Sequence, residues 1–211
     1  MLHAVIPLKD PARAKSRLRA VLSADERARL SVTMLAEVAT CLLAVRAIRA
    51  VHVVTPQEAN VPRGCRFIAE RGGGLNAALG QAAAVLSAQG ATALLVCAAD
   101  VPSVSPADVR ELIELSHTTA VVAATDWHGE GTNALLMTPA DAIAPRFGRA
   151  SLAAHAAAAQ RAGRSFRGLS RPGLAHDIDA PDQLPELLRR DAARYGFLRA
   201  ALERHGARRV R

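Results

Sequence analysis

The chain has 211 residues, half of them hydrophobic and 22% charged, which suits one domain with a sizeable core and excludes a disordered or low-complexity protein. The net charge of +8 sits at the two ends, with +4 over residues 1–30, +5 over 186–211 and −1 between them; aromatics are only 3%, so the basic stripe interleaved with aromatics that nucleic-acid binders use is missing. Three scattered cysteines without CxxC or zinc spacing, no apolar run near ~18 residues, and an N-terminal apolar run too short for a signal peptide point to a soluble cytoplasmic protein without a membrane partner.

In chain order, Leu2–Pro7 reads as a first strand, with Pro7 at its end where a ladder donor is dispensable. Ser23 and Glu26 form a capping box that opens a helix to about Arg46, with Leu30, Met34, Leu35, Val38, Leu42 and Val45 at helical spacing. Strands follow at Val51–Thr55 and Arg66–Ala69. A helix spans Leu75–Gln89 and stops at Gly90, and Ala93–Cys97 is an apolar strand for the centre of a covered sheet. Ser105 caps a helix starting at Pro106. Strands at 119–125 and 133–137 are joined by too short a loop for a crossover helix, so they should be antiparallel. Ser151–Arg161 is a helix stopped by Gly163, and Pro181 opens a closing pair of short helices. This alternation predicts a three-layer α/β fold with a mostly parallel, mixed sheet, in one domain over 1–211 with a basic, solvated tail from about residue 206.

Ligands of open α/β sheets lie beyond the carboxyl ends of the strands. Four segments fall there. The first, Leu8–Leu18, carries Lys9, Arg13, Lys15 and Arg17, with Ser16 among them; it suits a polyphosphate or is a solvated charged loop. Lys9 and Lys15 are the chain's only lysines. The second is Asp100, which follows the most apolar strand and either binds a metal or caps the next turn. The third holds Asp177 and Asp179, two residues apart on an extended segment and so pointing the same way; a shared cation relieves their repulsion. Oxygen donors without His or Cys favour Mg²⁺ or Mn²⁺ over zinc. The fourth combines Thr132 and Asn133 with Gly148 and Ser151, suited to a small phosphate or carboxylate at a helix start. The glycine run ending at Gly74, followed by Asn76, suits a base or ribose. His3, His52 and His155 read as structural, and no nucleophilic triad is legible.

Taken in order, these segments resemble one family. Pro7-Leu8-Lys9, Lys15-Ser16-Arg17-Leu18, Leu22–Arg27, Gly74–Leu79, Ala99–Pro102, Gly131–Leu135, Phe147-Gly148 with Ser151 and His155, and Asp177–Pro181 look like the motifs of the 2-phospho-L-lactate guanylyltransferases of deazaflavin coenzyme F(420) biosynthesis and their phosphoenolpyruvate- and 3-phosphoglycerate-using relatives. The chain departs from that pattern at Trp127, Glu130, Leu152, Ala180 and Gln183. The resemblance implies a nucleotidyltransferase (GT-A/Rossmann-like) fold and transfer of GMP from GTP to the phosphate of a small phospho-acid, releasing pyrophosphate. It implies Lys15, Arg17 and Asp100 as catalytic residues. The nucleotide would be held by Lys9, Lys15, Ser16, Arg17, Gly74, Asn76 and Asp100, and the acceptor by Thr132, Asn133, Gly148 and Ser151. Asp100, Asp177 and Asp179 would hold Mg²⁺ or Mn²⁺. A functional partner would be the downstream transferase that uses the labile product. The competing expectations are a nucleotidyltransferase for another acceptor such as molybdopterin and, from a different class, a basic nucleic-acid-binding module.

Overall fold

A computed structural model describes residues 1–209 of the chain. Seven strands form one sheet: β1 (Leu2–Pro7), β2 (Ile48–Thr55), β3 (Arg66–Ala69), β4 (Ala93–Cys97), β5 (Val121–Thr125), β6 (Thr132–Met137) and β7 (Phe166–Leu169). Their spatial order is β3-β2-β1-β4-β6-β5-β7. Only β6 runs antiparallel, to both β4 and β5. The short 126–131 loop therefore makes the reversed pair expected from its length. Strand β7 has no counterpart in the sequence reading. It pairs parallel to β5 at the edge, and its four residues include Arg167 and Gly168, which carry no apolar alternation.

Among the described residues, eight α-helices cover the sheet and its end: α1 (Ala24–Leu43), α2 (Leu75–Ala88), α3 (Pro106–Ser116), α4 (Ser151–Arg161), α5 (Pro172–Ala175), α6 (Leu184–Arg190), α7 (Ala192–Tyr195) and α8 (Leu198–Arg209). The expected Ser23–Glu26 capping box forms, and Ser105 caps α3 as expected, through a second box with Asp108. Alternate strand residues feed two cores. Ala4, Ile6, Val51, Val53 and Leu95 pack with Leu35, Val38 and Leu42 of α1. Val5, Val54, Leu94 and Val96 pack with Leu79, Ala82 and Leu86 of α2. A period of two on the strands against a helical period of 3.6 forces this division into layers.

A third core joins Leu18, Leu22, Leu30 and Met34 to Leu184, Leu187, Tyr195 and Leu198. Instead of two closing helices the chain makes three, after a short 3₁₀ turn at Pro181–Gln183. Their anchor is Glu37 of α1. It receives Arg190 at 2.7 Å and Arg194 at 2.9 Å, and the Tyr195 hydroxyl also donates to it. Arg204 pairs with Glu26 at 2.7 Å. Part of the C-terminal positive surplus is thus ion-paired to α1 rather than simply solvated. Helix α8 carries the chain to Arg209, into the stretch read from sequence as a tail; the rest of that stretch lies outside the described residues. No helix among the described residues is long and apolar enough to cross a membrane.

His3 and His52 face each other across β1 and β2, buried, with Nδ1 and Nε2 3.0 Å apart. Burial, then the neighbouring His3 and Arg66, push the His52 pKa down to about 4. Burial does the same to His155. Both rings are therefore neutral in the folded chain at pH values where the unfolded chain binds protons. Stability then rises with pH through this window: it is complete above the unfolded value near 6.5 and is lost as pH falls towards 4. We expect thermal unfolding to show a steep loss of Tm between pH 6.5 and 4, each histidine costing up to about 3 kcal/mol. A His52→Gln, His155→Gln double variant that kept the same slope would contradict this.

Candidate active site

The site is built at the carboxyl ends of β1 and β4. Beyond β1 the chain makes two 3₁₀ turns, Pro11–Arg13 and Ser16–Ala20, with Lys15 between them at φ 54° and ψ 45°. A non-glycine residue in this left-handed conformation costs roughly 1–2 kcal/mol. Its ammonium lies 2.5 Å from Asp100 Oδ2 and 2.7 Å from Asp179 Oδ1, and its side chain is only 7% exposed. Burial by itself would lower the Lys15 pKa; the charges of Asp100 and Asp179 and their hydrogen bonds outweigh it and hold the pKa above its usual value.

Asp100 follows β4, whose ladder with β6 is extended by Ala98 N–H donating to Asn133 C=O. The Asp100 carbonyl in turn accepts from Ile178 N–H at 3.0 Å. That bond lays the 177–179 segment beside Asp100, and carboxylate oxygens of Asp100, Asp177 and Asp179 come within 4.8 Å of one another. Gln183 holds the segment from behind. Its Oε1 accepts from Asp179 and Ala180 N–H at 2.7 Å each, and its Nε2 donates to Asp177 C=O at 2.8 Å. Asn133 Nδ2 donates to Leu174 C=O at 2.8 Å and reaches Asp177 Oδ1 at 3.5 Å. Burial pushes the Asp177 carboxyl upward, as do the charges of Asp100 and Asp179; bonds to its own amide and from Asn133 oppose the rise. Three hard oxygen donors, one of them made reluctant to ionise by burial and by the other two, fit a divalent cation of the Mg²⁺ or Mn²⁺ type.

A cavity of about 280 Å³ opens over this cluster, lined by Lys9, Lys15, Leu75, Ala99, Asp100 and Asp179 among others. A second, of about 470 Å³, shares Lys9, Ala14 and Leu75 with it and adds Arg13, Gly72 and Gly74. Gly74 adopts φ 84° and ψ 177° immediately before α2, a region open essentially to glycine alone. Arg17 is 79% exposed and lies 3.7 Å from Asp179. Ser16 is exposed at the start of its turn.

Several residues picked out from sequence have partners within the protein. Lys15, assigned to a triphosphate, has its contacts on the carboxylates. Asn76, assigned to the nucleoside, spends its amide on the backbone of Phe147. Asn133, assigned to the acceptor, is buried and turned to α5 and Asp177. Thr132 and Ser151 are buried, with Thr132 Oγ1 3.1 Å from His155 Nδ1. At the start of α4 the Leu152 N–H is taken by Glu130 C=O at 3.0 Å, so that amide is closed to an anion. Gln183 was noted in the sequence only as a departure from the family pattern. Its spacing of four from Asp179, next to a Pro-started turn, is the signal that could have marked it as a brace.

The family model described as "Guanylyl transferase CofC like" matches residues 2–201. The chain belongs to this family. A phosphoenolpyruvate guanylyltransferase of Sphaerobacter thermophilus is 38% identical over 188 residues, covering 87% of this chain and 91% of that protein. One from Rubrobacter xylanophilus is 39% identical over 191 residues, covering 88% and 93%. Among solved structures, a CMP:2-keto-3-deoxy-manno-octonic acid synthetase complexed with CTP superposes with a TM-score of 0.61 at 14% identity, over 90% of this chain and 98% of that one. The fold is that of the nucleotidyltransferases, and the chain carries its acidic cluster at the sheet end where open α/β sheets place ligands.

Because the raised Asp177 pKa means that folding favours its protonated form, the ionised carboxylate costs stability at neutral pH. Asp177→Asn should therefore raise Tm in chelator at pH 7 while weakening Mn²⁺ binding by at least ~10-fold. Thermal melts in EDTA and a Mn²⁺ titration by electron paramagnetic resonance test the pair; a lower Tm would contradict the charge-repulsion account.

Proposed function

We propose that the chain joins GMP from GTP to the phosphate of a small phosphorylated carboxylic acid, with phosphoenolpyruvate as the first candidate. The observation that carries this reading is the convergence of Asp100, Asp177 and Asp179 with Lys15 at the mouth of a cavity that continues past Lys9, Arg13 and the glycine turn. It is supported by the names of the relatives, which are phosphoenolpyruvate guanylyltransferases.

An oxygen of the acceptor phosphate attacks the α-phosphorus of GTP, the bond from that phosphorus to the oxygen bridging to the β-phosphorus breaks, and pyrophosphate leaves with the electron pair. The acceptor oxygen is already anionic, so no general base is required, and catalysis reduces to alignment and charge neutralisation. Asp100, Asp177 and Asp179 would hold Mg²⁺ or Mn²⁺, which would supply Lewis-acid stabilisation of phosphate oxygens. Lys9, Arg13 and Arg17 are exposed around the cleft and would take the charge of the triphosphate. Lys15 neutralises the cluster and sets the spacing between Asp100 and Asp179. The glycine turn admits the nucleoside close to the backbone. Thr132, Gly148 and Ser151 would receive the acceptor. On this reading the chain would act in coenzyme F(420) biosynthesis, ahead of a transferase that would consume a labile diphosphate-linked product. A nucleic-acid-binding role loses ground, because Arg190, Arg194 and Arg204 are engaged with α1.

Pyrophosphate release with GTP and Mg²⁺ should be greatest with phosphoenolpyruvate in a panel with 2-phospho-L-lactate and 3-phosphoglycerate, with the downstream transferase included to draw off product. Release with none of the three overturns the proposal. Asp100→Asn should lower kcat by ~10²-fold or more with the fold intact. Lys15→Arg should lose at least ~10-fold, because a planar guanidinium does not replace a compact ammonium between two carboxylate oxygens; full activity would make the lysine incidental.

A further inference from the structure

Asn76 and His155 grip one short segment from opposite sides. Asn76, the second residue of α2, accepts from Phe147 N–H at 2.7 Å through Oδ1 and donates to Phe147 C=O at 3.0 Å through Nδ2. One side chain thus satisfies both backbone groups of one residue, as a neighbouring strand would. One position earlier, Arg146 N–H donates to His155 Nε2 at 2.9 Å. The His155 ring is fully buried and lies edge-on to Phe147, with ring centres 4.9 Å apart.

The protonation of His155 follows from these contacts. A ring nitrogen that accepts a hydrogen bond carries no proton, so the neutral imidazole bears its proton on Nδ1. That nitrogen lies 3.1 Å from Thr132 Oγ1, so Nδ1–H donates and the hydroxyl oxygen accepts. The Thr132 hydroxyl keeps its own proton for another acceptor. Burial, which holds the His155 pKa at about 4, keeps this arrangement through neutral pH. Gly148, at φ 132°, and Ser151 follow the gripped segment.

We propose that Asn76 and His155 are positioning residues of the acceptor pocket: they fix the Arg146–Gly148 backbone between α2 and α4, and His155 presents the Thr132 hydroxyl as a donor to the carboxylate or phosphate of a small phosphorylated acid. The inference rests on the guanylyl-transfer reading above. It assigns to Asn76 a role on the acceptor, although the residue lies two positions after Gly74 of the glycine turn on the nucleotide side. His155→Gln tests the mechanism directly, because a carbonyl oxygen can accept from Arg146 while the amide donates to Thr132. His155→Leu fills similar space and does neither. Asn76→Asp keeps the shape and the bond to Phe147 N–H but sets a carboxylate against Phe147 C=O.

The experiment measures pyrophosphate release with phosphoenolpyruvate and GTP varied separately, alongside Tm. His155→Leu and Asn76→Asp should raise the KM for the acid by at least ~10-fold with the KM for GTP within about twofold, and His155→Gln should recover most of the loss. If His155→Leu fails to fold, Asn76→Asp and the Gln variant still carry the comparison. Folded, active variants with an unchanged KM for the acid, or with an equal rise for GTP, overturn the inference alone. A wild-type chain that releases no pyrophosphate with any of the three acids overturns the guanylyl-transfer reading and this inference with it.

Discussion

Like charges brought within a few ångströms repel, and Asp100, Asp177 and Asp179 lie within 4.8 Å of one another on partly buried positions. No such cluster survives folding without compensation. Here the compensation is Lys15, seated against two of the three carboxylates, together with backbone geometry that leaves the aspartates no other place to go. The Asp100 carbonyl fixes Ile178, and Gln183 fixes the backbone on both sides of Ile178. The strained Lys15 backbone belongs to the same balance: a left-handed residue persists where its surroundings over-determine it, and two ion pairs on a buried side chain do so.

This constraint reaches well beyond the site. The 177–179 segment is placed from one side by β4 and from the other by the closing helices, and those helices are held to α1 by Glu37. Helix α1 is itself the element that β1 leads into after the Lys15 turn. The third core, between the Leu18–Leu22 region and α6–α8, therefore couples the two chain ends that together supply Lys15 and Asp179. The ends carry the positive surplus of the chain, and their arginines serve two purposes: Arg17 beside the cleft, Arg190, Arg194 and Arg204 as fasteners.

Most of the elements could be read from sequence because their causes are local. The Ser23–Glu26 and Ser105–Asp108 boxes each close within four residues, and the continuous apolar run at Ala93–Cys97 is what a strand buried on both faces requires. The pairing of β5 with β6 followed from loop length alone. Strand β7 escaped because an exposed edge strand of four residues needs little apolar pattern. The acidic cluster was legible as well, since Asp at the end of a central strand and two Asp at i and i+2 are each costly without a cation.

What the chain's residues determined by themselves, then, is the order of elements, the layers, and the chemical character of the site: oxygen donors, cations and a glycine turn at strand ends. Only the tertiary structure decided which polar side chains meet the protein's own groups and which stay open at the cleft. Asn76 and Phe147 are 71 residues apart, Asn133 and Asp177 are 44, and Lys15 and Asp179 are 164. An amide, a hydroxyl or an ammonium can face either water, a substrate or the protein's own groups, and its residue type is the same in each case. The choice is made by burial, because a polar group removed from water must find a partner, and the partner's position exists only once the sheet has brought distant strand ends together.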